Sequence, residues 1–197
     1  MRQVDTMKSA NFWRERYSLG DNSGSGSRGD LLNFKVDYIN SFIKDNDIKT
    51  VLDFGHGDLE VAKKIEVESY KGIDIFDCED SCGLDLVNSS FTEYDGEKAD
   101  LVMCLDVLYH ILEEEQEYMR DTLVNMIDKS KNYIMVYAQD STNYDFDTEY
   151  RGHLYNSKWL QYMYGRTWED IDLVAKQNQP MPGSSAQFFV FRKKQYG

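Results

Sequence analysis

Val51-Leu52-Asp53-Phe54-Gly55-His56-Gly57-Asp58 is the stretch whose reading decides the fold. Apart from Asp53, its first four residues are apolar and read as the end of a short strand. Gly55 and Gly57 allow a sharp turn and a close approach of backbone to a ligand. Asp58 reads as the cap of a following helix that buries Val61, Ala62 and Ile65. Strand, glycine turn and helix in that order build a cofactor site at the carboxyl edge of an open α/β sheet.

Working outward, the pattern repeats. Upstream, Asp30 reads as an N-cap, and Leu32, Val36, Ile39 and Ile43 form a helical stripe joined by Phe42. The first strand covers residues 49–54, and further strands are predicted over 70–75, 84–87, 100–105, 132–138, 170–175 and 187–191. The run Leu101-Val102-Met103-Cys104-Leu105 is wholly apolar, which suits a central parallel strand covered on both faces. Helices are predicted over 113–128, with Tyr118, Leu123, Met126 and Ile127 inward, and over 156–164. Met103, Met126 and Met135 read as core fillers. Glu113-Glu114-Glu115 reads as a solvated helix start suited to the positive helix end, and 139–150 as a polar loop. Strands alternating with helices, closed by a strand pair, predict a three-layer αβα sandwich in a single domain spanning residues 1–197. Within it, residues 1–29 interleave Phe12, Trp13 and Tyr17 with charged residues and end in a Gly/Ser run, so an arm or lid over the ligand site is expected.

The chain has 22 basic and 35 acidic side chains and a formal charge of -13. Such a surface repels phosphate backbones and anionic lipid, so no nucleic-acid partner is expected. Cys78, Cys82 and Cys104 are an odd set that reads as reduced thiols in a cytoplasmic setting. No second Cys or His pair follows Cys78 and Cys82 at zinc-like spacing, so no metal site is expected. There is no secretory leader pattern, and no apolar run reaches the roughly 20 residues of a membrane helix. The oligomeric state stays open.

Two details choose the cofactor. A dinucleotide fingerprint needs a third glycine at position 60, where this chain has Glu60. Asp53 stands beside the turn, where a carboxylate opposes a pyrophosphate and suits a cation. S-adenosylmethionine (SAM) carries an ammonium and a sulfonium and no phosphate, so it fits the turn better than NAD. Asp74 ends the second strand roughly 20 residues past the turn, where a carboxylate takes both ribose hydroxyls.

Asp53-Phe54-Gly55-His56-Gly57, Gly72-Ile73-Asp74 and Ala99-Asp100-Leu101-Val102-Met103-Cys104-Leu105-Asp106-Val107-Leu108-Tyr109-His110 resemble the ordered motifs of Rossmann-fold SAM-dependent methyltransferases. The resemblance implies seven strands in the order 3-2-1-4-5-7-6, the last antiparallel, with SAM as cofactor. It assigns Asp53, Gly55, His56 and Gly57 to the methionine end of SAM, Asp74 to the ribose, and Ile75 to the adenine face. It puts Asp85 and Leu86 at the adenine amino group and Leu105 beneath the methyl donor. Trp13-Arg14-Glu15-Arg16-Tyr17, Ser23-Gly24-Ser25-Gly26-Ser27, Phe34-Lys35, the segment 152–159 and the segment 184–189 are similar to small methyltransferases of viruses and bacterial surface-polysaccharide gene sets. That likeness implies a sugar or glycan hydroxyl as acceptor.

A sugar hydroxyl is a poor nucleophile until its proton is taken, so a general base is expected. Asp106, His110 and His153 are the candidates near the site mouth. Trp13 and Tyr17 suit stacking on a sugar face, with Tyr109, Ser25 and Ser27 as polar contacts, and Arg14, Arg16, Arg28 and Arg151 suit gripping an anionic group. Two other readings remain: a methyltransferase for another small metabolite or a nucleobase, and a catalytically silent SAM-binding module. The absence of proline after Asp106 opposes a DNA N-methyltransferase, and intact Asp53, Gly55, Gly57 and Asp74 oppose a silent module.

Overall fold

The computed structural model describes residues 7–78, 80–139, 159–166, 169–180 and 186–195. Seven strands form one sheet: β1 (Thr50–Phe54), β2 (Ser69–Asp74), β3 (Asp85–Asn88), β4 (Ala99–Leu105), β5 (Ser130–Gln139), β6 (Ile171–Asn178) and β7 (Ala186–Lys193). Their order is β3-β2-β1-β4-β5-β7-β6. The pairs β3-β2, β2-β1, β1-β4 and β4-β5 are parallel, and β7 runs antiparallel to both β5 and β6. This is the expected three-layer architecture and strand order.

Alternation along the strands sends side chains to two cores. Leu52 and Phe54, Val102 and Cys104, Ile134 and Val136, and Phe189 and Phe191 meet helices α3 (Gln116–Lys129) and α4 (Trp159–Arg166) on one face. Val51, Leu101, Met103, Met135, Phe188 and Val190 meet Leu32, Ile39 and Ile43 of α2 (Gly29–Asp45) on the other. Both faces of β4 are filled from Leu101 onward, which is why Leu101–Leu105 is an unbroken apolar run. Among the described residues no helix is long and apolar enough to cross a membrane.

Three expectations need correction. The glycine turn does not open an α-helix; a single 3-10 turn, Ala62–Lys64, follows it. Leu59 has φ 66°, which interrupts a right-handed helix, and the Asp58 side chain is taken by the N-terminal segment instead of capping. Val61 and Ala62 are buried all the same. Helix α2 begins at Gly29 with Arg28 at its N-cap, which puts Asp30 in the first turn. Glu115 is buried, not solvated: it accepts hydrogen bonds from the Ser9 and Leu112 N–H groups, and α3 begins only at Gln116. Within the N-terminal arm, residues Lys8–Ser18 form a regular helix, α1. The expected loop beyond Gln139 and the start of the expected helix over 156–164 lie outside the described residues.

Candidate active site

Strands β1, β2 and β4 are parallel, so their carboxyl ends lie at one edge of the sheet. There they open a cleft enclosing about 880 Å³, part of it open to solvent.

The turn is shaped by its glycines. Gly55 has φ 96°, and a Cβ there would run into Val107 Cγ2. Gly57 has φ 56°, and a Cβ there would run into Ser23 Oγ. His56 is buried, and its ring Nδ1–H donates to the Gly57 carbonyl at 2.9 Å. The Gly57 N–H donates to Asp74 Oδ2 at 3.0 Å, while Asp74 Oδ1 accepts the Phe76 N–H at 3.1 Å. Asp74 thus fixes the turn against the end of β2, and the second lone pair of each oxygen is left for a ligand.

Asp53 is 2% exposed. Tyr70 donates its hydroxyl to Oδ2 at 2.7 Å, while Oδ1 has no hydrogen-bond partner. Burial pushes the Asp53 carboxyl up to about 6, against the lowering effects of the Tyr70 bond and of His56. A buried carboxylate oxygen without a partner costs free energy until a donor reaches it. It lines the cleft together with Gly55, His56, Gly57, Asp74, Ile75 and Leu105.

Helix α1 forms one wall. Its first turn is anchored by Glu115, whose carboxylate accepts the Ser9 N–H at 3.1 Å and the Ser9 hydroxyl at 2.5 Å. Ala10, Trp13 and Tyr17, at helical spacing, face the cleft. The Tyr17 ring lies 4.8 Å from that of Phe76, and its hydroxyl pairs with Ser23 Oγ at 2.9 Å. Trp13 meets the His110 ring edge-on at 4.9 Å. The arm is then latched to the turn. Asp58 accepts the Ser23 N–H at 2.8 Å and Arg28 Nη2 at 2.6 Å, and the Asp58 N–H donates to Ser23 Oγ at 3.1 Å. Burial alone would raise the Asp58 carboxyl, but the Arg28 and Ser23 bonds together hold it below the usual carboxylate range.

Of the residues singled out above, Trp13, Tyr17, Ser27, Asp106 and His110 line this same cleft. Tyr109 reaches it through its hydroxyl, which donates to Asp106 Oδ1 at 2.8 Å. Others are placed elsewhere. Asp85 pairs with Lys71 at 2.7 Å at the start of β3, and Leu86 packs on the α2 side of the sheet, so neither lines the cleft. Phe91, beyond the end of β3, does. Arg28 is committed to Asp58, Arg16 to Asp21 and the Asn22 carbonyl, and neither these, Arg14 nor the exposed Ser25 lines it. Arg151 and His153 lie outside the described residues. Among the described residues no group of three metal-ligating side chains forms.

Lys35 is a functional candidate to which the sequence reading assigns no role, although Phe34-Lys35 is among the stretches that carry the closer resemblance. It comes from the second turn of α2, is completely buried and lines the cleft, with Nζ 2.5 Å from Asp106 Oδ2. The available signal was a lysine between Leu32 and Ile39 on the apolar side of an amphipathic helix. A charge there needs a buried partner.

No family model matches the chain, and neither does any curated protein. Solved structures do. The N-methyltransferase NodS from Bradyrhizobium japonicum, in complex with S-adenosyl-L-homocysteine (SAH), superposes with TM-score 0.68 at 16% identity, over 95% of this chain and 99% of that one. The SAM-bound amino pentose methyltransferase from Micromonospora echinaspora that takes part in calicheamicin biosynthesis gives 0.70 at 12% identity, over 90% and 96%. Magnesium protoporphyrin IX methyltransferase from Synechocystis with bound SAM gives 0.64 at 15% identity, over 97% and 95%. At these identities the likeness is one of fold: the chain has the seven-stranded, Rossmann-like fold of these SAM-dependent methyltransferases.

Proposed function

We propose that this protein is a SAM-dependent methyltransferase whose acceptor is a hydroxyl of a small polar molecule, a sugar or glycan precursor. The observation that carries the cofactor is the unpartnered, buried Oδ1 of Asp53 beside the Gly55-His56-Gly57 turn. An ammonium group satisfies that oxygen. A pyrophosphate does not, and would face Asp53, Asp58, Asp74 and Asp106 in the same cleft. Asp53 and the turn hold the methionine end, Asp74 the ribose, and Ile75 and Phe91 the adenine. Bound SAM supplies an electrophilic methyl group on a sulfonium. The chain's own part is to seat the acceptor in line with that methyl group and to exclude water. Trp13 and His110 shape the acceptor side, and Asp106 orients the hydroxyl. The arm, with α1 docked on Glu115 and Ser23 latched to Asp58, serves as the lid.

A calorimetric titration with SAH tests the reading. The wild-type chain binds, and Asp53→Ala loses at least tenfold in affinity with the fold intact by circular dichroism; unchanged affinity in the variant sinks the assignment. Transfer of labelled methyl from SAM across a panel of nucleotide sugars then separates a hydroxyl-methylating enzyme from a silent binding module. The fold itself leaves the acceptor open, because its relatives in shape include N-methyl, porphyrin and amino pentose enzymes.

A further inference from the structure

The Lys35–Asp106 ion pair in the cleft has no place in the cofactor contacts proposed above. Lys35 is completely buried, and its ammonium stands behind the Asp106 carboxylate, 2.5 Å from Oδ2 and 5.3 Å from the centre of the Tyr137 ring. Tyr109 donates to Oδ1. Asp106 has φ 58°, a left-handed conformation that Asp adopts more readily than most non-glycine residues. Gly26 of the arm closes another side, where an added Cβ would stand 3.4 Å from Oδ2. The carboxylate is thus held by α2, by the segment after β4 and by the arm, while 19% of the Asp106 side chain remains exposed.

This arrangement bears on what can be methylated. A lone carboxylate in a half-buried cleft attracts a cation, because charge–charge attraction grows as the dielectric falls. Lys35 cancels that attraction at short range. Each Asp106 oxygen nevertheless keeps a second lone pair, so the carboxylate still accepts a hydrogen bond from a neutral donor. An amine that enters as ammonium would put a second cation on a carboxylate already paired with Lys35. A hydroxyl does not. We propose that Lys35 is a specificity-determining residue: by neutralising Asp106 from behind, it makes the acceptor end select an uncharged hydroxyl over an ammonium group. The proposal rests on the methyltransferase reading above and narrows its acceptor class.

The test uses the full chain loaded with SAH, with D-glucose and protonated D-glucosamine as probes and the NMR signals of Asp106, Tyr109 and Trp13 as reporters. The wild-type chain prefers glucose. Lys35→Met raises the glucosamine-to-glucose affinity ratio at least tenfold, Asp106→Asn lowers it, and the double variant returns it to near the wild-type value. Because the two single variants move the ratio in opposite directions, either one that folds tests the charge argument, and the double variant leaves no buried ion unpaired. A ratio that moves the same way in both single variants, or in neither, overturns the proposal. So does the absence of any shift at the three reporters with both probes. Calorimetry on the same samples keeps the two readings apart. SAH affinity within about twofold of wild type in Lys35→Met supports an acceptor-side role, and its loss in that variant alone overturns it. No SAH binding by the wild-type chain instead defeats the methyltransferase reading.

Discussion

Burial raises the Asp53 carboxyl from its ordinary 3.8 to about 6, and the sign of that shift fixes two pH effects. Folding favours the protonated form between these values, so the stability of the ligand-free chain declines as pH rises from about 4 to about 6. A shift of this size is worth roughly 3 kcal/mol. An ammonium ligand needs the ionised form, so SAH affinity falls as pH drops below about 6. Asp53→Asn keeps an acceptor for Tyr70 and removes the ionisation. Its SAH affinity is therefore weaker but flat between pH 5 and 7, and its unfolding midpoint loses the acid-side slope. Calorimetry and thermal melts across that window check both. The Lys35–Asp106 pair behaves differently. Removing Asp106 alone strands a fully buried ammonium, which costs about 3–5 kcal/mol. Asp106→Asn is therefore strongly destabilising in denaturant melts, and adding Lys35→Met restores most of the loss. Asn tolerates the left-handed backbone, so the loss reads out charge and not strain.

At the scale of elements, the residues that were legible in the sequence are those whose partners are local. Asp53, Gly55 and Gly57 belong to one strand and one turn. Asp74 ends the next strand, where the β1–β2 register places it beside that turn. The pairing of Lys35 is not legible, because its partner is 71 residues away and meets it only through the packing of α2 on β4 and β5. The position of Asp85 is not legible for a different reason. Strand β3 is four residues long, exposed at both ends and half-buried only at Leu86 and Val87, so its hydrophobic pattern does not show where its carboxyl end lies. The register pairs Asp74 with Asn88, so Asp85 stands at the far end and the ligand edge continues to Phe91. Helix α1 escaped notice because its apolar side is a wall of the cleft: Ala10 is its only fully buried residue, and the signal was confined to Ala10, Trp13 and Tyr17. That placement predicts how the arm is held. Glu115→Ala leaves the Ser9 and Leu112 N–H groups without their acceptor, at about 1–3 kcal/mol. Amide exchange in residues 8–18 speeds up in that variant while strands β1, β4 and β5 keep their protection, and SAH dissociates faster. Equal protection of α1 in the two proteins refutes the anchor.

At the scale of the whole molecule, the formal charge of -13 and the acidic cleft act together. The cleft lining sets Asp53, Asp58, Asp74 and Asp106 against a single lysine, while in the arm Arg28 pairs with Asp58 and Arg16 with Asp21. Such a field discriminates between the two ends of the proposed reaction. SAM has ammonium, sulfonium and carboxylate groups and a net charge of +1, while SAH has lost the sulfonium and is neutral overall. An acidic cleft in low dielectric concentrates the cation and leaves the neutral product unaffected, and the effect extends over about a Debye length, roughly 8–10 Å at physiological salt. Stopped-flow association is therefore expected to slow for SAM, and not for SAH, as sodium chloride is raised. At low salt SAM associates several-fold faster than SAH. Were the cofactor an anion such as a dinucleotide, added salt would speed its association, so the sign of the salt dependence tests the cofactor assignment without an acceptor being known. Identical salt profiles for SAM and SAH would show that the acidic lining is neutralised in the native cleft and plays no part in admitting the methyl donor.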